Sequence, residues 1–510
     1  MTVTLATFME ILDTSIANVA LPHVAGGLSA SYDESTWILT SYLVSNAIVL
    51  PLSGWLSSTI GRKRFYMLCV TLFTASSAMC GLAQTLEALV LFRILQGAAG
   101  GGLGPSEQAI LADTFPQEQF GMAFALYGMA VVLAPAIGPT LGGWITDNYN
   151  WRWIFFINVP VGILSLLLSY RIVEDPPYLK RQVQAQRRMG LNIDYVGLAL
   201  IVAGIGALQV VLDKGQRQDW FDSPFITVFT VLGAAALITS VIWEWHRERP
   251  IVDVRMFREP TFAISNFMLF ILGFVLYGST TILPQFMQVM LGYSAQQSGL
   301  ALSPGGFAIM FSLPLVGYLS ARVDGRWLIA VGLVGTALSV YNMTNLSLQV
   351  DFQTMVLYRV YQSVGLAFLF IPINTMAYVG VPPEKNNQVA GMVNLTRNIG
   401  GSVGISIVQT LLVRRTQAHQ DALAVHTTNY DHSFTESLQG LAGSFLHSGT
   451  SHADAAHTSL AQTYGLMQMQ ASMLAYIDVF WLLAAGSIII LPLIFLMKKN
   501  DPGTGAMGAH

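Results

Sequence analysis

Charge is scarce in this chain. Lys, Arg, Asp and Glu make up 10% of its 510 residues, against roughly a quarter in a soluble domain. So few charges cannot cover a water-facing surface of this size, so most of the surface faces lipid. The net charge of −3 gives no basic field for nucleic acid. Cysteine is nearly absent too: Cys69 and Cys80 sit in one apolar run, about 16 Å apart on a helix, too far for a disulfide. No Gly-Lys dipeptide occurs, so the phosphate loop G-x-x-x-x-G-K-[ST] is missing. With no polar stretch large enough for a nucleotide domain, both an ATP-driven pump and an enzyme are disfavoured. The expectation is no cofactor, no metal and no nucleic-acid partner.

What the chain does have is apolar length. Hydrophobic residues make up 53% and the mean hydropathy is +0.54. Fourteen runs of membrane-crossing length fall between residues 3 and 497. Of the 25 Lys and Arg, 17 lie in loops on one side, 5 on the other, and Arg93, Arg359 and Arg397 lie inside runs. The positive-inside rule puts both termini in the cytoplasm.

The runs repeat. GWLSSTIGRKR (54–64) returns as GYLSARVDGRW (317–327), an offset of 263 residues. Pro22 of ALP matches Pro284 of ILP, FRILQGAAGG with Arg93 and Gln96 matches YRVYQSVGLA with Arg359 and Gln362, and Pro116 matches Pro383. These offsets drift only from 262 to 267, as duplication of a six-span unit requires. The predicted fold is an all-α membrane protein of fourteen transmembrane helices: two six-helix bundles plus two inserted helices. The predicted boundaries are an N-terminal bundle at 1–173, a cytoplasmic linker at 174–193, the insert at 194–260, a C-terminal bundle at 261–497 with an outer loop at 413–474, and a tail at 498–510. Repeated halves with a site between them are the architecture of secondary transporters.

The motifs resemble those of the major facilitator superfamily, most closely its fourteen-span drug:proton antiporters of the EmrB type, along essentially the whole chain. LDTSIANVALP (12–22) resembles the first-span signature, GWLSSTIGRKR the cytoplasmic loop motif, RILQGAAGG (93–101) the fourth-span motif, and APAIGPTLGG (134–143) the antiporter motif of span five. WRWIFFINVPVG (151–162) and LQVVLDKG (208–215) also resemble this branch. The resemblance implies the major-facilitator fold in a bacterial inner membrane. It implies proton-coupled export of lipophilic or amphipathic drugs, powered by the proton gradient. It also implies a periplasmic adaptor (a membrane fusion protein) and an outer-membrane channel as partners. The loop motif departs from the family at Ser58, where an acid is usual.

Acids inside a span are costly and mark function. Asp13 leads as the proton carrier, since the first-span signature covers it, followed by Glu10 and Glu107, with Arg93 as the buried cation. Arg93, Gln96, Gly97, Gly100, Gly104 and Glu107 keep one helical face, which suits a water-filled cavity. No acid stands in the second half at the place of Asp13, which falls at Val275 or its neighbour. Candidate substrate contacts are Asn18, Trp37, Tyr42, Asn46, Gln96, Tyr127, Tyr277, Gln285, Arg359, Gln362, Phe368 and Asn374. Candidate conformational positions are Gly54, Gly61, Arg62, Lys63, Gly138, Pro139, Gly142, Gly143 and Arg397. Pro139 removes a backbone donor and the glycines allow close helix approach, as in a bent, tightly packed helix.

The outer loop holds six of the nine histidines in a spacing that fits no metal pattern. Leu438, Leu441 and Phe445 keep helical spacing, as do Leu460, Tyr464, Met467 and Ala471, so a helical hairpin is expected there. Two other functions compete with export. An uptake symporter for a polar solute would show more polar anchors in the second half. A receptor or scaffold would leave Glu10, Asp13 and Arg93 unexplained.

Overall fold

The structure is a computed structural model describing residues 2–116, 119–189, 194–248, 250–425, 427, 431–447 and 451–499. Fourteen long helical segments run through the described residues, and no strand occurs among them. In chain order they are α1 (Thr4–Gly27), α2 (Trp37–Ile60), α3 (Arg62–Leu82), α4 (Leu86–Thr114), α5 (Phe120–Asn148), α6 (Trp153–Ile172) and α7 (Tyr195–Lys214). Then come α8 (Pro224–His246), α9 (Pro260–Val289), α10 (Ala295–Ser320), α11 (Gly325–Asn342), α12 (Phe352–Met376), α13 (Asn386–Ala424) and α14 (His452–Ile489). Eleven of these pass a length-and-hydropathy test for crossing a membrane, and α5, bent by 41°, makes a twelfth. The two that fail, α1 and α13, carry Glu10 and Asp13 and Arg397 respectively. Their polar residues dilute hydropathy, so fourteen crossings remain compatible with the chain.

The repeated loop motif does the same work twice. A Cβ on Gly54 of α2 would fall 2.8 Å from the Asn387 carbonyl oxygen of α13, and one on Gly317 of α10 would fall 2.7 Å from that of Gly121 on α5. Each half thus presses its second helix onto the fifth helix of the other half, backbone to backbone, as only glycine permits. One apolar cluster crosses the join, with Phe124 and Val131 of α5 packed among Leu269, Leu313, Phe370 and Met376.

The bend in α5 has a local cause. Pro139 has no N–H for the Pro135 carbonyl four residues earlier, and the Ser15 hydroxyl of α1 donates to that oxygen instead at 3.4 Å. Gly138 and Gly142 face Ser15 and Ile16 closely, as expected, but a Cβ on Gly143 would meet nothing within 4 Å. Gly143 is therefore no packing glycine.

The inserted α7 bridges the halves. Asp213 accepts from Thr40 of α2, Lys214 donates to Thr36 at 2.5 Å, and Gln209 accepts from Ser402 of α13 at 3.1 Å. The 413–474 segment is less of a loop than expected. Helix α13 runs on to Ala424 and α14 begins at His452, with a helix His432–His447 between them that packs on α14. His426 and residues 448–450 of the expected turn lie outside the described residues. The expected linker holds a helix, Pro177–Met189.

Candidate coupling site

Asp13 and Arg93 anchor a buried polar network in the first half. Arg93 lies two turns into α4 and Asp13 three turns into α1; both are almost fully buried. Arg93 Nη1 donates to Asp13 Oδ2 at 2.6 Å and to Gln96 Oε1 at 2.8 Å, while Arg93 Nε donates to the Ile38 carbonyl at 3.2 Å. The other Asp13 oxygen accepts from Gln96 Nε2 at 3.0 Å and from Asn158 Nδ2 at 2.6 Å. The guanidinium also stands 4.1 Å from the Tyr42 ring centroid, an attraction that strengthens away from water. A buried carboxylate needs such donors to stay charged, and Asp13 has three.

Glu10 lies one turn along the same face of α1. Its Oε1 accepts from Asn46 Nδ2 at 3.0 Å and from the Tyr42 hydroxyl at 3.4 Å. Glu107 is fully buried, and neither of its oxygens has a hydrogen-bond partner. A charge there would be buried without compensation. The three acids thus span three settings: Asp13 in an ion pair, Glu10 with amide and hydroxyl donors, and Glu107 with no hydrogen bond.

The polar face of α4 is packed against other helices, not against a water-filled wall as its spacing suggested. A Cβ on Gly97 would strike Tyr42 and Ser45, one on Gly100 would reach Tyr42, Asn46 and Glu10, and one on Gly104 would reach Tyr127 and Asn394. Small residues on this face admit neighbouring polar side chains.

Across the join, Asn394 Oδ1 accepts from Tyr127 at 3.0 Å and from Arg397 Nη2 at 2.6 Å. The Asn394 amide donates to Gln108 Oε1 at 2.8 Å, and Gln108 donates to Asn374 Oδ1 at 3.4 Å. Helices α4, α5, α12 and α13 therefore meet in one buried polar bridge. Arg359 Nη1 donates to Gln362 Oε1 at 2.6 Å.

The remaining candidates are scattered. Gln285 accepts from Gln409 at 2.8 Å within the second half, and Tyr277 packs on Gly401. Phe368 is half-buried, Asn18 is exposed, and Trp37 is exposed beneath Lys214.

At the opposite end of α4, Arg62 is 2% exposed rather than a solvated topogenic charge. It pairs with Asp113 and donates to Asn387 Oδ1 at 2.7 Å and to the Ala109 carbonyl at 2.9 Å. Asn386 and Tyr178 also donate to Asp113, at 2.8 and 2.6 Å. Burial pushes the Tyr178 hydroxyl up to about 12, so it keeps the proton it donates. The acid missing at Ser58 is thus supplied by Asp113 at the end of α4. Gly61, with φ +103°, makes the turn before Arg62, and Lys63 donates to the Tyr170 carbonyl at 2.7 Å.

Sequence reasoning missed Asn158, Asn394, Gln108 and Asp113. Asn158 lies inside the WRWIFFINVPVG motif, and Asn394 stands one turn before Arg397. Gln108 and Asp113 had no signal beyond sharing a helix with Glu107.

Comparison with known proteins shows the family. The Major Facilitator Superfamily model matches residues 3–405. The multidrug export protein EmrB of Haemophilus influenzae is 35% identical over 97% of this chain and 94% of its own length. EmrB of Escherichia coli is 34% identical over 99% and 96%, and the fatty acid resistance protein FarB of Neisseria gonorrhoeae 35% over 99% and 96%. Among solved structures, a double tryptophan mutant of XylE aligns with a TM-score of 0.61 at 14% identity, covering 99% of this chain and 96% of that one. The proton:xylose symporter XylE bound to 6-bromo-6-deoxy-D-glucose gives 0.57 at 15% identity over 96% and 94%. This chain is a multi-pass membrane protein that belongs to the Major Facilitator Superfamily, in the branch that holds the EmrB export proteins.

Proposed function

We propose that this chain is a proton-coupled antiporter that exports lipophilic and amphipathic compounds across a bacterial inner membrane. The observation that carries the reading is the buried Asp13–Arg93 ion pair, with Glu10 one turn away on α1 and Glu107 about four turns farther along α4. Intramembrane acids of this kind mark proton pathways. The relatives named as multidrug export and fatty acid resistance proteins support the cargo.

Asp13 is the exchange site. A proton arriving on its carboxylate removes the charge that neutralises Arg93, and α1 loses its strongest tie to α4. Loss of the proton restores that tie. Glu10 and Glu107 extend the carboxyl path along the α1–α4 contact. The cross-half bridge of Tyr127, Asn394, Arg397, Gln108 and Asn374 senses the change, because it joins the halves that must part.

The basic loops, Arg62 among them, face the cytoplasm, and both termini lie on that side. The cytoplasmic end is closed by Arg62, Asp113, Asn386 and Asn387. The projecting ends of α13 and α14, with helix His432–His447, face the periplasm, where an adaptor and an outer-membrane channel dock. The boundaries at 1–173, 194–260 and 261–497 divide the two bundles from the insert.

The test uses inverted vesicles bearing wild type or Asp13→Asn, loaded with a fluorescent lipophilic cation under a pH gradient acidic on the periplasmic side. Gradient-driven dye movement is expected in wild type and falls by a hundredfold or more in the variant, with dye binding retained. Undiminished movement in Asp13→Asn would remove Asp13 from coupling.

A further inference from the structure

The two halves treat the same arginine differently. In the first half, Arg93 and Gln96 grip a carboxylate, with Arg93 Nη1 on one Asp13 oxygen and Gln96 Nε2 on the other, at 2.6 and 3.0 Å. In the second half the repeat places Arg359 and Gln362 with the same three-residue spacing. Both are buried, and Arg359 Nη1 again donates to the glutamine oxygen, at 2.6 Å. The carboxylate is not repeated, because the position matching Asp13 falls at the buried Val275 or its neighbour, where no acid stands.

Three donors are consequently unanswered. Arg359 Nε, Gln362 Nε2 and the Ser363 hydroxyl are buried and have no hydrogen-bond partner, and no acid pairs with Arg359 among the described residues. Gly305 of α10 packs directly on that side of the group: a Cβ there would fall 2.7 Å from the Ser363 hydroxyl and 3.3 Å from Arg359 Nε, so only a glycine leaves these donors uncovered by a side chain. One turn away, Met355 joins an apolar cluster with Phe286 and Leu302. A buried guanidinium held only by an amide oxygen is costly unless an anion reaches it, and a carboxylate matches its fork best.

We infer that Arg359 and Gln362 form an anion subsite in the second half, which takes the carboxylate of an amphipathic substrate in the geometry that Asp13 adopts against Arg93 and Gln96. The inference rests on the export reading and names a chemical class within its cargo. The substrate's carboxylate neutralises Arg359, and its apolar tail lies along the cluster that holds Met355.

Binding of decanoate and of decyltrimethylammonium to the purified full chain at pH 8, followed by titration calorimetry, tests this without any gradient. Wild type is expected to prefer decanoate. Arg359→Gln should weaken decanoate tenfold or more and strengthen the cation. A second variant, Val275→Asp, supplies the missing acid from within. It should weaken decanoate to the same degree while unfolding at a higher temperature than wild type, an outcome that misfolding cannot produce. Decanoate affinity within twofold of wild type in either folded variant overturns the subsite. If decanoate binding depends on Arg359 but no amphiphile moves under a pH gradient, the subsite stands and the export reading falls. Gradient-driven movement with Arg359-independent binding gives the reverse.

Discussion

Arg93 and Arg359 occupy matching places in two halves that arose by duplication, and they now meet different company. Arg93 is tied to Asp13, Gln96 and the Ile38 carbonyl, whereas Arg359 is tied to Gln362. The same asymmetry recurs at the opposite end of the helices. Arg62 pairs with Asp113 and reaches Asn387 in the other half, while Arg326 pairs with its near neighbour Asp324 at 2.7 Å. Three residues before the matching prolines Pro116 and Pro383, the first half has Asp113 and the second has Gly380. The halves share the packing glycines Gly54 and Gly317 but not Asp13 or Asp113. Among the described residues, Asp13 and Glu107 are buried acids in the spans of the first bundle, while the buried charged groups in the spans of the second are Arg359 and Arg397.

Stability should show this difference most strongly. Asp13→Ala leaves Arg93 as an uncompensated buried charge and should cost about 3–5 kcal/mol, read as a lower unfolding temperature in detergent. Arg359→Met abandons no acid and should stay within about 1 kcal/mol of wild type. Equal losses at the two sites would break the comparison.

A smaller effect tests what the halves share. Gly54→Val and Gly317→Val each drive a side chain into a backbone carbonyl of the other half, so each should cost about 1–3 kcal/mol. Each should also expose cysteines placed at the Arg62 end to a polar thiol reagent. Gly143→Val, with nothing within 4 Å of its Cβ, should change stability by no more than about 0.5 kcal/mol. Unequal labelling of the Gly54 and Gly317 variants would show that only one cross-half seam holds that end closed.

Much of this architecture was legible because duplication writes itself in order: Pro22, Gly54, Arg93 and Pro116 each have a partner at nearly one offset. A fixed hydropathy threshold passes over α1 and α13, which carry Glu10, Asp13, Asn394 and Arg397. Spacing on α4 puts Arg93 and Gln96 on one face and the first-span signature singles out Asp13, but Gln96, expected as a substrate contact, donates to Asp13 instead. Asn158, 145 residues from Asp13, could not be placed, since no local pattern records which asparagine of α6 turns inward. Asp113 was missed because an acid was sought in the loop itself, whereas the fold brings one from the end of α4. The α4 face was taken as a cavity wall because small residues look the same whether they face water or admit a neighbour. Only the three-dimensional contacts at Gly97 and Gly100 separate the two.

The most direct measurement is proton release on substrate binding. Purified wild type and Asp13→Asn, in weak buffer with a pH-sensitive dye, are mixed with ethidium, and released protons are counted per molecule of ethidium bound. Stoichiometric release in wild type and none in Asp13→Asn is the predicted result. Equal release from both would contradict the assignment of proton exchange to Asp13.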